Sequence, residues 1–339
     1  MRKLVILATF VAATTLAAAA PHYHVLRHIP IGGEGGWDYL AVDSAAHRLY
    51  VSHSDRVNVV DTTTGKVVGE IANTQGVHGI AIASRLHRGF VSAGRTSTVT
   101  IFDLGTLKTI AEVKTTGDRP DAILFDEASS RVFTFNAAGK NTTAIDAATG
   151  SVAGTVALGG KPEFAQADGK GHLFVNIEDT SEIVDLNTKT LAVAKRWSLA
   201  PCTEPSGLAF DRKHRRLFSG CDNKVMAVSD ADSGKVLTTL PIGEGVDGDA
   251  FDPELGLAFS ANGADGTLTV VQESSPSTFA VAETVPTQKG ARTMAIDEKT
   301  HHLFLPTAQF GPPPAPTTDR PHPRPSIVPG TFEVLEVVP

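Results

Sequence analysis

The chain has 339 residues, which is room for two average domains, yet large all-β folds reach this length as one unit, so repeats must be sought before the chain is divided. With 41% apolar and aromatic residues, 20% charged residues and only 2 cysteines, the composition excludes a disordered chain, a collagen, a coiled coil and a disulfide-stapled miniprotein. A net charge of −7, or −9 once Arg2 and Lys3 leave with a leader, argues against nucleic acid held through its phosphates.

In chain order, Arg2 and Lys3 come first, followed by an apolar run from Leu4 to Ala20 that closes on four alanines. That is the layout of a secretory signal, and Pro21 disfavours the bond before it, so residues 1–19 are expected to be removed after Ala19. The run is shorter than the ~20 apolar residues of a spanning helix, and no later stretch is long or apolar enough, so no integral membrane segment is expected in the mature chain. A periplasmic or secreted location follows. It permits a disulfide, and Cys202 and Cys221 are expected to form one, the alternatives being a free thiol pair or a metal site.

From Leu40 onward a four-residue block recurs: LAVD to Asp43, IAIA to Ala83, ILFD to Asp126, AQAD to Asp168, LAFD to Asp211, DAFD to Asp252 and MAID to Asp297. The spacings of 40, 43, 42, 43, 41 and 45 residues match the ~40 to 45 of a four-stranded propeller blade and not the ~34 of a helical array. An aromatic follows each block on a second short apolar run: Tyr50, Phe90, Phe133, Phe174, Phe218, Phe259 and Phe304. A third alternating run and a turn, such as Thr64-Gly65 or Ser233-Gly234, lead to a fourth strand. Residues 20–339 are therefore expected to form one all-β domain, a seven-bladed β-propeller of four-stranded antiparallel blades with the aromatics packed between sheets. The last unit stops after three strands, and the N-terminal stretch YHVLRHIPIG is laid out like a fourth, so both chain ends are expected to share one blade and close the ring.

The runs YVSH, FVSA, FTFN and FVNI, with the turns DTTTG and DAATG, resemble the YVTN-type repeat of YncE-like exported bacterial propellers over about Tyr23 to Val338. The resemblance implies the propeller fold and export, and it implies no particular activity. The same turns are similar to those of quinone-cofactor dehydrogenases. The docking Trp of those enzymes is missing, since Lys66 is followed by Val67, Val68 and Gly69.

Loops joining strand four to strand one, and strand two to strand three, share one propeller face, the usual place for a ligand. Five residues before each block end stand Asp38, His78, Asp121, Glu163, Ser206, Asp247 and Arg292, one polar residue per repeat. If they ring the channel mouth, Asp38, His78, Asp121, Glu163 and Asp247 form a pool of metal ligands suited to a hard or borderline divalent cation, and the whole ring suits a cationic or hydroxylated ligand. A divalent cation is the one cofactor this chain suggests. Trp37, next to Asp38, is placed either to stack on a ring-shaped ligand or to plug the neighbouring blade.

A proline-rich insertion, residues 306–330, should rise on that same face, bringing Arg320, His322 and Arg324 with it. The histidines His47, His87, His172, His214 and His302 fall on first hairpin turns and are expected to be plain surface residues. No nucleophile elbow, phosphate loop or HExxH motif occurs. The first reading is thus a non-enzymatic exported scaffold that binds a small molecule, peptide or partner protein at the channel face. The alternative is a metal-dependent hydrolase of the lactonase or esterase kind working through the acidic ring.

Overall fold

The computed structural model describes residues 22–315 and 325–339. The leader, Arg320, His322 and Arg324 lie outside them, and among the described residues no helix is long and apolar enough to cross a membrane. The strands fall into seven antiparallel sheets of four, with order following the chain in six of them. Their inner strands are Leu40–Asp43 in blade 1, Val77–Ala83 in blade 2, Pro120–Asp126 in blade 3, Pro162–Ala167 in blade 4, Pro205–Asp211 in blade 5, Val246–Asp252 in blade 6 and Ala295–Asp297 in blade 7. Each inner strand touches the next, and blade 7 touches blade 1. This is a seven-bladed β-propeller.

Burial runs outward along each blade. Second strands such as Arg48–His53 are buried almost throughout because neighbouring sheets cover both faces, whereas fourth strands such as Thr109–Lys114 are mostly exposed. The recurring aromatics are all at most 1% exposed and fill the seams between blades: Tyr50 meets Phe102 of blade 2, Phe174 meets Phe210 of blade 5, and Phe218 stacks on Phe251 of blade 6.

Carboxylates hold the turns. In the first hairpins the block-ending Asp43 accepts from Ala45 N and Ala46 N, both at 3.1 Å, and Asp126 accepts from the Ser129 hydroxyl at 2.6 Å. In the D-x-x-T-G turns Asp61 Oδ1 accepts from the Thr64 amide at 2.7 Å and from its hydroxyl at 2.9 Å. His47 and His87 occupy left-handed turn positions, with φ of 54° and 52°. The expectation of plain surface histidines fails for three others, because neighbouring blades or strands set buried acids beside them. His172 Nδ1 lies 2.7 Å from Asp185, His302 Nδ1 lies 2.7 Å from Glu336, and His214 lies between Asp211 and Glu273.

Blade 7 is built from both ends of the chain. His24–Pro30 pairs with Glu333–Val338, from His24 opposite Val338 to Pro30 opposite Glu333. Between strands two and three of this blade the insertion starts as a narrow ribbon, with Phe310 bridged to Ile327 and Gly311 N donating to Ser326 O at 2.9 Å.

Candidate functional site

Five of the seven blades deliver their ring residue by the same local device. In blades 2 to 6 the pairing of the inner strand with the second slips just where His78, Asp121, Glu163, Ser206 and Asp247 stand. A bulge bends the strand and re-aims the side chain it carries. In blades 1 and 7 the inner strand begins later, at Leu40 and Ala295, so Asp38 and Arg292 approach from the entry loops. Side chains from second strands secure the bulges. Ser92 Oγ accepts from Gly79 N at 2.8 Å and donates to Asp121 O at 2.5 Å, while Asn176 Nδ2 donates to Gly207 O at 2.8 Å. Glycine is required at Gly207 because a Cβ there would sit 2.6 Å from Asp249 N of the next inner strand.

The seven residues do not form one ligand cage. Asp38 is the hub: its Oδ2 is 2.6 Å from His78 Nδ1, and its Oδ1 is 3.4 Å from an Arg292 guanidinium nitrogen. His78 Nδ1 is also 3.5 Å from Asp121 Oδ1. On the other flank Arg292 Nε donates to Asp247 Oδ2 at 2.7 Å, and the Ser206 hydroxyl donates to Asp247 Oδ1 at 2.9 Å. Glu163 stands with a residue the sequence reading did not include, Lys161, whose Nζ lies 2.6 Å from its Oε1 and also pairs with Glu178. Of the five expected metal ligands, Asp38, His78 and Asp121 come within 4.8 Å of one another, whereas Glu163 and Asp247 are drawn aside by their own cations.

Tyr39 was missed as well. It crosses from blade 1 to pack with Ala122 and Ala165 of blades 3 and 4, its ring 5.1 Å from that of Phe164, so an aromatic pair spans blades 1 and 4 next to the polar ring. The position after each ring residue is Gly79, Ala122, Gly207, Gly248 and Thr293 in five blades but Tyr39 and Phe164 in the other two. Two large side chains where small ones are the rule was the signal. Trp37 is 7% exposed, stacks on Phe332 at 5.3 Å and lies under the Arg292 guanidinium at 5.9 Å.

Burial and neighbouring charge raise three of the ring carboxylates, Asp121, Glu163 and Asp247. Burial, then the charge of Asp38, pushes Asp121 up to about 7. Burial and the charge of Asp121 push Glu163 upward, against the pull of Lys161. Burial by itself would lower His78, but the bond to Asp38 and the charge of Asp121 outweigh it and raise the imidazole. The Tyr39 phenol is held well above its usual range by burial and then by the surrounding charges of Asp247, Asp121, Asp38 and Glu163, so it stays a neutral hydroxyl beside the ring.

No protein-family model matches the chain, and no curated protein matches it either. Among solved structures it is similar to hydrazine synthase of Kuenenia stuttgartiensis, with a TM-score of 0.70 and 14% identity over 88% of this chain and 96% of that one. It is also similar to a chain of the mitotic checkpoint complex, with a TM-score of 0.73 and 12% identity over 100% of this chain and 97% of that one. At these identities the likeness is one of fold.

Proposed function

We propose that this chain is an exported binding scaffold that holds a small cationic or hydroxylated ligand at its channel mouth and does not transform it. The observation that carries this reading is the set of carboxylates around Asp38, His78 and Asp121, buried in excess of the cations that neutralise them. A ligand bearing positive charge relieves that repulsion, and hydroxyls match the remaining acceptors. Ser206 supports binding over catalysis: its hydroxyl is donated to Asp247, and the ring's only imidazole is engaged by Asp38, so the serine has no base to activate it. The leader pattern and the Cys202–Cys221 bond support an oxidising, non-cytoplasmic location. The described base of the insertion packs on Trp37 at the rim, where it suits a partner or a lid.

A metal-dependent hydrolase is the second reading, favoured by the three ligand atoms that Asp38, His78 and Asp121 place within 4.8 Å. Calorimetric titration of the mature chain with choline, spermidine and simple sugars, in parallel with zinc, manganese and calcium, separates the two. Binding of an organic cation or sugar that is lost in Asp38→Asn supports the scaffold. Stoichiometric metal at the mouth together with ester or lactone hydrolysis, both lost in Asp38→Asn, would replace it with the hydrolase.

A further inference from the structure

The propeller carries its own internal control, because one backbone position can be compared across its blades. At the end of the third strand in blades 1 to 6 an amide donates to the carbonyl of the first hairpin turn: Thr62 to His47 at 2.9 Å, Leu104 to His87 at 3.1 Å, Ala147 to Ser130 at 3.1 Å, Thr188 to Gly171 at 2.9 Å, Ala231 to Arg215 at 3.0 Å and Glu273 to Gly256 at 2.9 Å. Five blades fill this position with an apolar or hydroxyl side chain. Blade 6 fills it with a carboxylate whose side chain is 1% exposed, and its Oε2 meets no hydrogen-bond partner among the described residues. A buried, half-satisfied acid where the other blades place an uncharged side chain costs stability unless something is bound there.

The residue facing it is the one imidazole at its position: His214 stands three residues after the block-ending Asp211, where the other blades carry Ala46, Leu86, Ser129, Gly171, Leu255 and Thr300. In the joint between blades 2 and 3, Leu86 packs in the same apolar cluster as Ala147. In the joint between blades 5 and 6, His214 Nδ1 lies 2.7 Å from Asp211 Oδ2 and 3.1 Å from Glu273 Oε1. Two buried carboxylates against one imidazole leave a net negative charge even when that imidazole is protonated.

We propose that Asp211, His214 and Glu273 form a divalent metal site that clips blade 5 to blade 6, with zinc or manganese as occupant. An imidazole with two carboxylates suits these borderline cations. The three ligand atoms lie within 4.8 Å of one another, and ligand bonds of about 2.1 Å set neighbouring ligand atoms about 3.0 to 3.4 Å apart, so the two contacts of His214 would open by up to about 0.7 Å around an ion. Asp211 is additionally oriented by the backbone, accepting from Lys213 N at 2.8 Å and His214 N at 3.1 Å. The half-exposed His214 provides the way in. The site is distinct from the channel mouth: Asp211 ends the inner strand that Ser206 begins, about 17 Å away along the strand.

The test uses the full mature chain stripped of metal and three versions: unaltered, Asp121→Asn to disable the mouth cluster, and Glu273→Ala, which installs the residue that Ala147 and Ala231 supply in other blades. Zinc or manganese should bind at one equivalent and raise the Tm of the first two by ~5 °C near saturation. Glu273→Ala should lose that rise while being at least as stable as the unaltered chain without metal. Should Glu273→Ala fail to fold, the pair Glu273→Ala with His214→Leu, which rebuilds the Leu86–Ala147 joint, gives the same reading. A rise that persists in Asp121→Asn combined with Glu273→Ala, or no rise with either ion in Asp121→Asn, overturns the proposal.

Discussion

Asp121 shows what a misfit charge does to one position. Its folded pKa of about 7 lies above the ordinary 3.8 because the bulge places it in a dehydrated rim beside Asp38. The folded protein therefore keeps a proton between about pH 4 and pH 7 that the unfolded chain releases, and stability falls as pH rises through that window. His78, raised above 6.5, acts in the same sense, since its contribution is full below 6.5 and disappears as pH climbs through its folded value. Asp249 and Glu273, each pushed up to about 7, add to the slope. The metal-free protein should melt several degrees higher at pH 5.5 than at pH 8. Asp121→Asn should flatten this slope and gain a few degrees at pH 8 with little change at pH 5.5, as read by circular dichroism melts in chelator. A variant less stable at every pH would mean that the carboxylate is needed in its charged form.

At the scale of elements, the Cys202–Cys221 disulfide joins the entry loop of blade 5 to the end of its second strand, with the Cα atoms 5.7 Å apart and a sequence separation of 19. It anchors the chain just before the bulge that presents Ser206. Closing a loop of this size removes about 3 kcal/mol of unfolded-state freedom, so Cys202→Ser with Cys221→Ser should lower the Tm by several degrees. Unfolded, unreduced protein should show no titratable thiol; two would refute the bond. The blade count was readable because six of the seven inner strands run into a turn-capping Asp, blade 2 with Ala83 being the exception, and each second strand brings an aromatic to the seam, two demands that recur at a near-fixed spacing. The pairing inside the ring was not readable. Whether Asp38 meets His78, or Asp247 meets Arg292, depends on how bulges rotate side chains about the axis, and no spacing encodes that. The nine-residue strands Thr267–Ser275 and Thr278–Pro286, longer than the six-residue hairpins elsewhere, were overlooked because their added residues continue a pattern already assigned to blade 6. Glu273 escaped for the same reason, since a search for what repeats passes over the one position that fails to repeat.

The whole molecule is a ring, and a ring has one seam. Six blades are continuous in sequence, so their hairpins form from neighbours, but blade 7 needs His24–Pro30 to find Glu333–Val338 across nearly the full chain. The N-terminal strand also braces both flanks. Tyr23 packs edge-on against Phe259 of blade 6 at 5.0 Å, and its amide donates to Glu283 at 2.7 Å, while Arg27 pairs with the buried Glu336 and donates to Thr62 O of blade 1 at 2.5 Å. Removing residues 22–30 exposes the edge of the Glu333–Val338 strand, leaves Glu336 without its guanidinium and uncovers the apolar seam that holds Ile29. This deletion should lower the Tm by 10 °C or more, on the order of several kcal/mol, whereas removing nine residues within 312–320 of the insertion should shift it by no more than a few degrees. A synthetic peptide of residues 22–32 added in trans should recover much of the loss by pairing with the vacant edge, as extended peptides do on exposed sheets. Equal melting temperatures for the two deletions, or no recovery by a peptide that binds, would show that the ring holds together without its N-terminal strand.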